Sequence, residues 1–416
     1  MPRQFTKSPH RGSAKVPDVT APANPAPAPR RVLPLIVLAQ LCGTSPWFAV
    51  NAVMPELRAA YGWPEAAVGT LSASLQLGFI AGTLVFALLA LADRFDARRV
   101  FLLCALAASG CTLAGAAAAG SFDALLAWRV LTGFFLAGIY PVGMKITSQW
   151  FPRGLGAALG WLLGALVLGS ASAHALRALA QTGTALPWQA VFLTVAALTA
   201  AAGLAVVFGV PSPPRGAAAA GGLRMTALAS LWRERRVRAS AFGYFGHMWE
   251  LYTLWVLLPA VLATRIASST AVSWWAFAVL GAGAIGCIGG GLLAQRLGGA
   301  RVAAVQLATS GALCLASPWL LQAPLPWFLA GMLLWGITVV GDSPQFSALT
   351  AANAPREAVG SVLTLVNSIG FAISALSIEL FVRLASQWPL EQVLPWLAIG
   401  PALGLLALRP LLQTPR

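Results

Sequence analysis

The sequence predicts an all-α membrane protein with twelve transmembrane helices in two six-helix bundles, and three observations predict it. First, the 416 residues are 58% hydrophobic and 9% charged, whereas soluble chains carry about 25% charged residues. Second, apolar runs recur along the whole length. Runs of roughly 20 residues cross about 30 Å of hydrocarbon as helices. They are continuous rather than alternating, which favours helices over the strands of a closed barrel. Third, a short basic stretch between two such runs, Leu89–Arg99 (LALADRFDARR), returns 202 residues later as Gly291–Arg301 (GLLAQRLGGAR). Asp93 then falls on Gln295, Arg94 on Arg296 and Arg99 on Arg301. Duplicated helical bundles are a recurrent plan among transporters.

Residues 1–30 are rich in Pro, Ala and Lys/Arg, with almost no large apolar side chains. They read as a disordered cytoplasmic tail. The next apolar run is a full span without a cleavage pattern, so the tail is not a signal peptide. Spans are expected at 32–54, 66–92, 100–119, 124–147, 156–180 and 189–210, making an N-terminal bundle over 31–210. A Pro/Gly-rich basic linker covers 211–238. Spans at 239–263, 271–294, 302–321, 327–350, 359–383 and 392–412 make a C-terminal bundle over 239–416. On this threading 21 Lys/Arg fall on the tail side and three (Arg58, Arg265, Arg383) on the other. The positive-inside rule then puts both termini in the cytoplasm. Trp63, Trp188, Trp274 and Trp388 fall at the outer interface. Glycines four apart, Gly156/Gly160/Gly164 and Gly286/Gly290, suit close helix packing in lipid.

Composition also excludes function classes. The formal charge of +15 lies in short loops rather than on a basic face, which argues against nucleic acid. The five cysteines sit in apolar runs without metal-ligand spacing and read as small buried hydrophobes, so no metal or cofactor is expected. An enzyme is not expected either. There is no HExxH, nucleophile elbow or phosphate-binding glycine loop, and most loops are too short for a soluble catalytic site.

The two basic stretches resemble the loop between the second and third helices of the major facilitator superfamily, usually written GxLADRxGRR. The first keeps Asp93, Arg94, Arg98 and Arg99 but has Leu89 and Asp96 for the two glycines. The second keeps Gly291 and Gly298 but has Gln295 for the acid. The resemblance covers about residues 31–412. It implies a central cavity lined by the first, fourth, seventh and tenth helices. It also implies an inner gate served by Asp93, Arg94, Arg98, Arg99, Gln295, Arg296 and Arg301. Leu125, Arg129, Gly133 and Ala137 match the family's fourth-span pattern LxxxRxxxGxxxA, which is associated with proton coupling. The fifth-span Gly-Pro-Gly-Gly pattern of many antiporters is absent, since Gly169–Ser172 reads GSAS.

Ionisable groups inside hydrocarbon are costly, and therefore candidates for function. Arg129 and Tyr140 share a stripe of the fourth span, with Arg129 expected to face the cavity or else to bond backbone carbonyls. Lys145 is expected to snorkel to the inner interface. In the seventh span His247 and Glu250 are three residues apart, with Tyr244 on the same side. They read as a proton-sharing pair or a satisfied structural one. Trp249 and Tyr252 are expected to point elsewhere. In the tenth span Asp342 and Gln345 flank Pro344, whose position repeats that of Pro141, and suit an ion or substrate contact. Thr44, Trp47 and Asn51 are cavity or packing residues, and Arg177 and Glu379 are expected to pair as an outer gate.

The reading is a secondary transporter of the bacterial inner membrane. It would be a multi-pass monomer in the lipid bilayer, moving a small polar or ionic solute by alternating access, with proton coupling a hypothesis resting on His247, Glu250 or Asp342. The alternative is a receptor or scaffold of the same shape that does not transport.

Overall fold

A computed structural model describes residues 29–151, 155–182, 186–212 and 226–413. Nearly all of the expected tail, Arg153, residues 213–225 of the linker and Arg416 lie outside the described residues. The described chain is helical, without a strand. We number the long helices in chain order. They are α1 Val32–Ala52, α2 Ala67–Leu88, α3 Ala97–Ala117, α4 Phe122–Trp150, α5 Leu155–Gln181 and α6 Gln189–Gly209. Then follow α7 Arg235–Ala263, α8 Ser269–Leu297, α9 Gly299–Gln322, α10 Leu325–Asn353, α11 Val359–Ala385 and α12 Leu390–Leu412. Eleven are long and apolar enough to cross a membrane. The twelfth, α7, is 29 residues long; it opens on Arg235, Arg236 and Arg238, carries Glu250 at its centre, and is buried along most of its length.

Four helices break beside a proline, α12 among them with a 3₁₀ turn over Leu394–Ala398 at Pro395. Pro46 has no N–H to donate, and α1 narrows to a 3₁₀ turn over Ser45–Phe48. The helical run of α4 stops at Leu136 and resumes at Tyr140, just before Pro141. In α10 it stops at Gly341 and resumes at Ser343, just before Pro344. The breaks in α4 and α10 are repeat-related, and so is the packing beside them. A Cβ on Gly133 would stand 1.9 Å from the Leu75 carbonyl oxygen of α2. One on Gly336 would stand 2.0 Å from that of Val279 in α8. Only glycine allows those backbones to come so near.

The halves meet along α5 against α8 and α2 against α11. Gly164 packs under Ile288, Gly160 more loosely near the Cys287 carbonyl, and Gly69 under Val382. We call the end carrying the start of α1 and the finish of α12 the tail end, and the other the far end. At the tail end the α2–α3 turn is made by Ala90, in the left-handed region at φ 49°. Asp96 then caps α3, its Oδ1 accepting the Arg98 N–H at 3.0 Å. The repeated turn uses Gly298 at φ 88° in place of that aspartate. The two imperfect copies therefore solve one geometric problem by different chemistry.

Candidate transport site

A narrow cavity lies between α4, α5, α7, α10 and α11. Tyr140, Tyr244, Tyr252, Ser343, Ser347, Asn367 and Phe371 line it, with Leu163 and Val167 forming the apolar wall from α5. A smaller space continues from Tyr244 and Asn367 to Thr350 and Leu363, toward the tail end. On the far side aromatic rings close it. Trp47 stacks on Tyr252 with centroids 5.8 Å apart and also meets Phe371 at 5.7 Å. Phe79 meets Phe371 at 4.6 Å, and Phe48 meets Trp255 at 5.7 Å. Each of these pairs joins one half of the chain to the other.

Beyond the rings, the far end is tied by polar contacts. Arg177 of α5 pairs with Glu56 at 2.9 Å and donates to Ser273 Oγ of α8 at 2.9 Å. Gln181 bridges Glu56 and Thr270, at 3.0 and 3.1 Å. Glu379 accepts from Thr70 of α2 at 3.2 Å and pairs with Arg383 one turn on. The expected Arg177–Glu379 pair is therefore corrected. Both residues sit at the far end, on the two different inter-half seams, and each finds its ionic partner within its own half. What crosses between the halves is neutral or singly charged hydrogen bonding to Ser273, Thr270 and Thr70.

Three sites hold the buried ionisable groups singled out at mid-span, and His174 of α5, also enclosed, stands apart from them with Nε2 unpartnered. His247 Nδ1 lies 2.8 Å from Asp342 Oδ1, both side chains fully enclosed, in a contact too poorly aligned for a good hydrogen bond. Asp342 sits at the break of α10, and the Tyr244 ring lies 5.7 Å from His247, between the pair and the cavity. Glu250 is held apart from them. Its carboxylate accepts from Trp335 Nε1 at 2.7 Å, Ser310 Oγ at 2.9 Å and Cys314 Sγ at 3.2 Å. The expected His247–Glu250 pair is thus replaced by His247–Asp342. Residues three apart are about 60° apart around the helix, enough to send one side chain to α10 and the other to the α9–α10 seam.

Of the two places expected for Arg129, the structure shows the one on backbone carbonyls. The guanidinium donates to the carbonyls of Pro46 and Trp47, at 3.0 and 2.9 Å, and reaches that of Leu71 at 3.4 Å. It caps the broken turn of α1 and does not line the cavity. Gln345 packs near Gly299 instead of entering the cavity. Thr44 bonds back to the Gln40 carbonyl at 2.8 Å, and Asn51 donates to Ser72 at 2.8 Å, so both are packing residues. Trp47, Tyr140 and Tyr244 are at the cavity or its aromatic roof as expected.

Tyr252, expected to point away, lines the cavity. Helix α7 is enclosed on nearly every side, so no face of it is spare for lipid at that level. Asn367 and Phe371 of α11 were not anticipated; a polar residue at mid-span beside a ring was the available signal.

At the tail end Lys145 donates to the Ala92 carbonyl at 2.5 Å and pairs with Asp93, tying α4 to the α2–α3 turn. Arg98 pairs with Asp96 at 2.6 Å and donates to Val210 and Ser212 after α6. The hydrogen bond from Arg98 holds the Asp96 carboxyl below its ordinary range. Arg94 and Arg99 are exposed, as are Gln295, Arg296 and Arg301 at the matching turn. Gln295 stands where Asp93 does, and Ala348, 203 residues after Lys145, has no charge to offer it.

The comparisons agree with this architecture. Residues 36–378 match the family model of the Major Facilitator Superfamily. The chain belongs to that superfamily. A chloramphenicol resistance protein of Streptomyces lividans is 31% identical over 289 residues, which span 67% of this chain and 70% of that one. Among solved structures, a bacterial homolog of the human lysosomal transporter Spinster superposes with TM-score 0.70 at 17% identity, covering 92% of this chain and 98% of that one. The nucleoside transporter NupG gives 0.69 at 15% identity, covering 92% and 99%. At such identities the likeness is one of fold. The chain is a multi-pass membrane protein of a transporter superfamily, and its cavity stands where the two halves meet.

Proposed function

We propose that this protein moves a small polar or ionic solute across the bacterial inner membrane by alternating access, as a monomer with both termini in the cytoplasm. The cavity, closed by rings toward the far end and continued toward the tail end, then opens inward. Opening the far end requires parting Trp47 from Tyr252 and Phe371, and releasing Ser273, Thr270 and Glu379. Two interfaces of limited polar bonding suit rocking of one half against the other.

The observation that carries proton coupling is the His247–Asp342 contact, enclosed at the break of α10 and one ring away from the cavity. Aspartate beside a neutral imidazole carries a net negative charge, and one further proton, held on either partner, neutralises the pair. The two forms differ in their demand on the neighbouring helix break. Loss or gain of a proton there, transmitted through Tyr244, links cavity shape to proton supply. Glu250, with three donors, is a second buried acid on the same half. A non-transporting scaffold needs neither.

The relative's name makes chloramphenicol the first solute to test, and export the first direction, although Gly169–Ser172 lacks the Gly-Pro-Gly-Gly of many antiporters. The test is reconstitution into liposomes with an imposed pH gradient, comparing the native protein with His247→Gln, Asp342→Asn and Glu250→Gln. Gradient-dependent movement that is lost in the first two supports the reading. Movement whose pH dependence is unchanged in all three removes proton coupling, and no movement of any solute favours the scaffold.

A further inference from the structure

We infer that the central site takes an uncharged solute carrying a flat aromatic ring and several hydrogen-bonding groups. This narrows the transport reading above and rests on it. The inference starts from what the cavity wall offers. Tyr140, Tyr244, Tyr252, Ser343, Ser347 and Asn367 all face the cavity, and none of their side chains hydrogen-bonds to another described residue. Tyr244 and Tyr252 are buried and the other four half-buried, and buried polar side chains normally find a partner in the protein or in ordered water. Elsewhere in this membrane interior most serines and threonines do so, as Ser310 does with Glu250 and Thr253 with Ser377, and the exceptions Thr83, Ser170, Ser368 and Ser374 do not converge on this cavity. Six unpartnered polar groups converging on one space are a set of donors and acceptors held for something else.

The wall is equally marked by what it lacks. Among the described residues lining the cavity there is no Asp, Glu, Lys, Arg or His. The charges nearby are engaged elsewhere: Arg129 on the α1 carbonyls, Asp342 with His247, Glu250 on Trp335 and Ser310. An ion entering such a space sheds hydration and meets no counter-charge. A neutral polar solute exchanges water for hydroxyl and amide partners. The rest of the wall is aromatic and aliphatic, with Phe371, Trp255 and the tyrosine rings beside Leu163 and Val167. A flat ring fits against such surfaces in tilted or offset stacking.

Aromatic walls also attract cations, which makes a cation the strongest rival. No carboxylate stands in the wall to complete a cation site.

The test uses three matched probes that differ in charge: N-acetyl-tyrosinamide (neutral), N-acetyl-tyrosine (anionic) and tyrosinamide (cationic), with N-acetyl-alaninamide as the ringless control. Binding to the full-length protein in detergent is read by thermal stabilisation, and transport by counterflow in liposomes. The neutral aromatic probe should bind on the order of tenfold more tightly than either charged one and than the ringless control. Asn367→Asp, which adds the missing carboxylate, should shift preference toward tyrosinamide, while Tyr244→Phe should weaken the neutral probe without changing the order. The inference is overturned if a charged probe binds as well as the neutral one. It is also overturned if the neutral probe gives no stabilisation up to its solubility limit, or if Asn367→Asp folds and leaves the preference unchanged. A charged probe that binds and is carried sinks the substrate class and leaves transport standing. A neutral probe that binds but is never carried does the reverse.

Discussion

The two halves of this protein share a plan and differ in where they bury charge. In the N-terminal half the enclosed ion at mid-span, Arg129, is fully used by carbonyls of α1 and α2. In the C-terminal half the enclosed ions are acids, one facing an imidazole and one facing three side-chain donors. The tail-end turns differ in the same sense. The first is tied by Asp93 to Lys145, and the second has Gln295 and Ala348 at the corresponding places. A backbone carbonyl does not titrate, so the first arrangement is fixed across ordinary pH. Carboxylates and imidazoles do titrate. The two copies share a shape and differ in chemistry at mid-span, carbonyls holding the charge in one half and side chains facing the acids in the other, while His174 of α5 is a buried imidazole of the N-terminal half.

The hardest way to break that contrast is to remove its fixed charge. Arg129→Met takes the guanidinium from the Trp47 and Pro46 carbonyls inside the membrane and leaves the latter with the Ala49 N–H alone. It is expected to cost about 2–3 kcal/mol, the upper scale for leaving a buried neutral acceptor short of a partner. Thermal melting in detergent checks it, and a loss below about 1 kcal/mol would mean those carbonyls are otherwise satisfied. Next in size is Asp342→Asn, expected to lower gradient-driven transport by about a hundredfold, the lower range for loss of a proton-transfer group. Its melting should change less than that of Arg129→Met. Glu250→Gln sharpens the distinction between the two acids. Glutamine still accepts from Trp335 and still bonds Ser310, so a change of about 1 kcal/mol in stability is expected, with gradient-driven transport largely kept. If Glu250→Gln abolishes coupling and Asp342→Asn does not, the assignment of the two acids is reversed.

The smallest effect lies outside the membrane. Asp96 caps α3 and is held below its ordinary range by Arg98. A depressed carboxyl contributes stability that is present above its ordinary pKa of 3.8 and fades as pH falls through the lower value of the folded state. Asp96→Ala should therefore cost about 1 kcal/mol at neutral pH, the worth of an N-cap. The gap should narrow in strong acid, which melting at both pH values would detect. A gap independent of pH would show that the carboxylate charge contributes nothing.

How far the sequence could be read follows from which forces are local. Spans such as Ala97–Ala117 and Gln189–Gly209 announce themselves by continuous hydropathy, because lipid imposes one rule on every exposed residue. The paired turns at Asp93 and Gln295, and the paired breaks at Pro141 and Pro344, are visible because repetition leaves a register. Partners across helices leave no such trace. His247 and Glu250 share a helix face in outline, yet the choice of α10 for one and of Ser310, Cys314 and Trp335 for the other depends on how α9 and α10 lean on α7. Tyr252 was misplaced because α7 has no lipid face at that level. For Arg129 the carbonyl-bonding alternative was legible, but not its partners: Pro46 frees the Cys42 carbonyl four residues back, which Ser45 Oγ takes at 2.7 Å, whereas Arg129 serves those of Pro46 and Trp47 in the 3₁₀ turn.

The most direct test of the central claim compares two assays on one variant. Asp342→Asn is reconstituted in liposomes, and substrate counterflow without a gradient is measured beside uptake or export driven by a pH gradient. If the His247–Asp342 site couples protons to the movement of the halves, counterflow persists while the driven flux collapses. Driven flux equal to that of the native protein would contradict the account, and would return the pair to the same structural role that Arg129 plays in the other half.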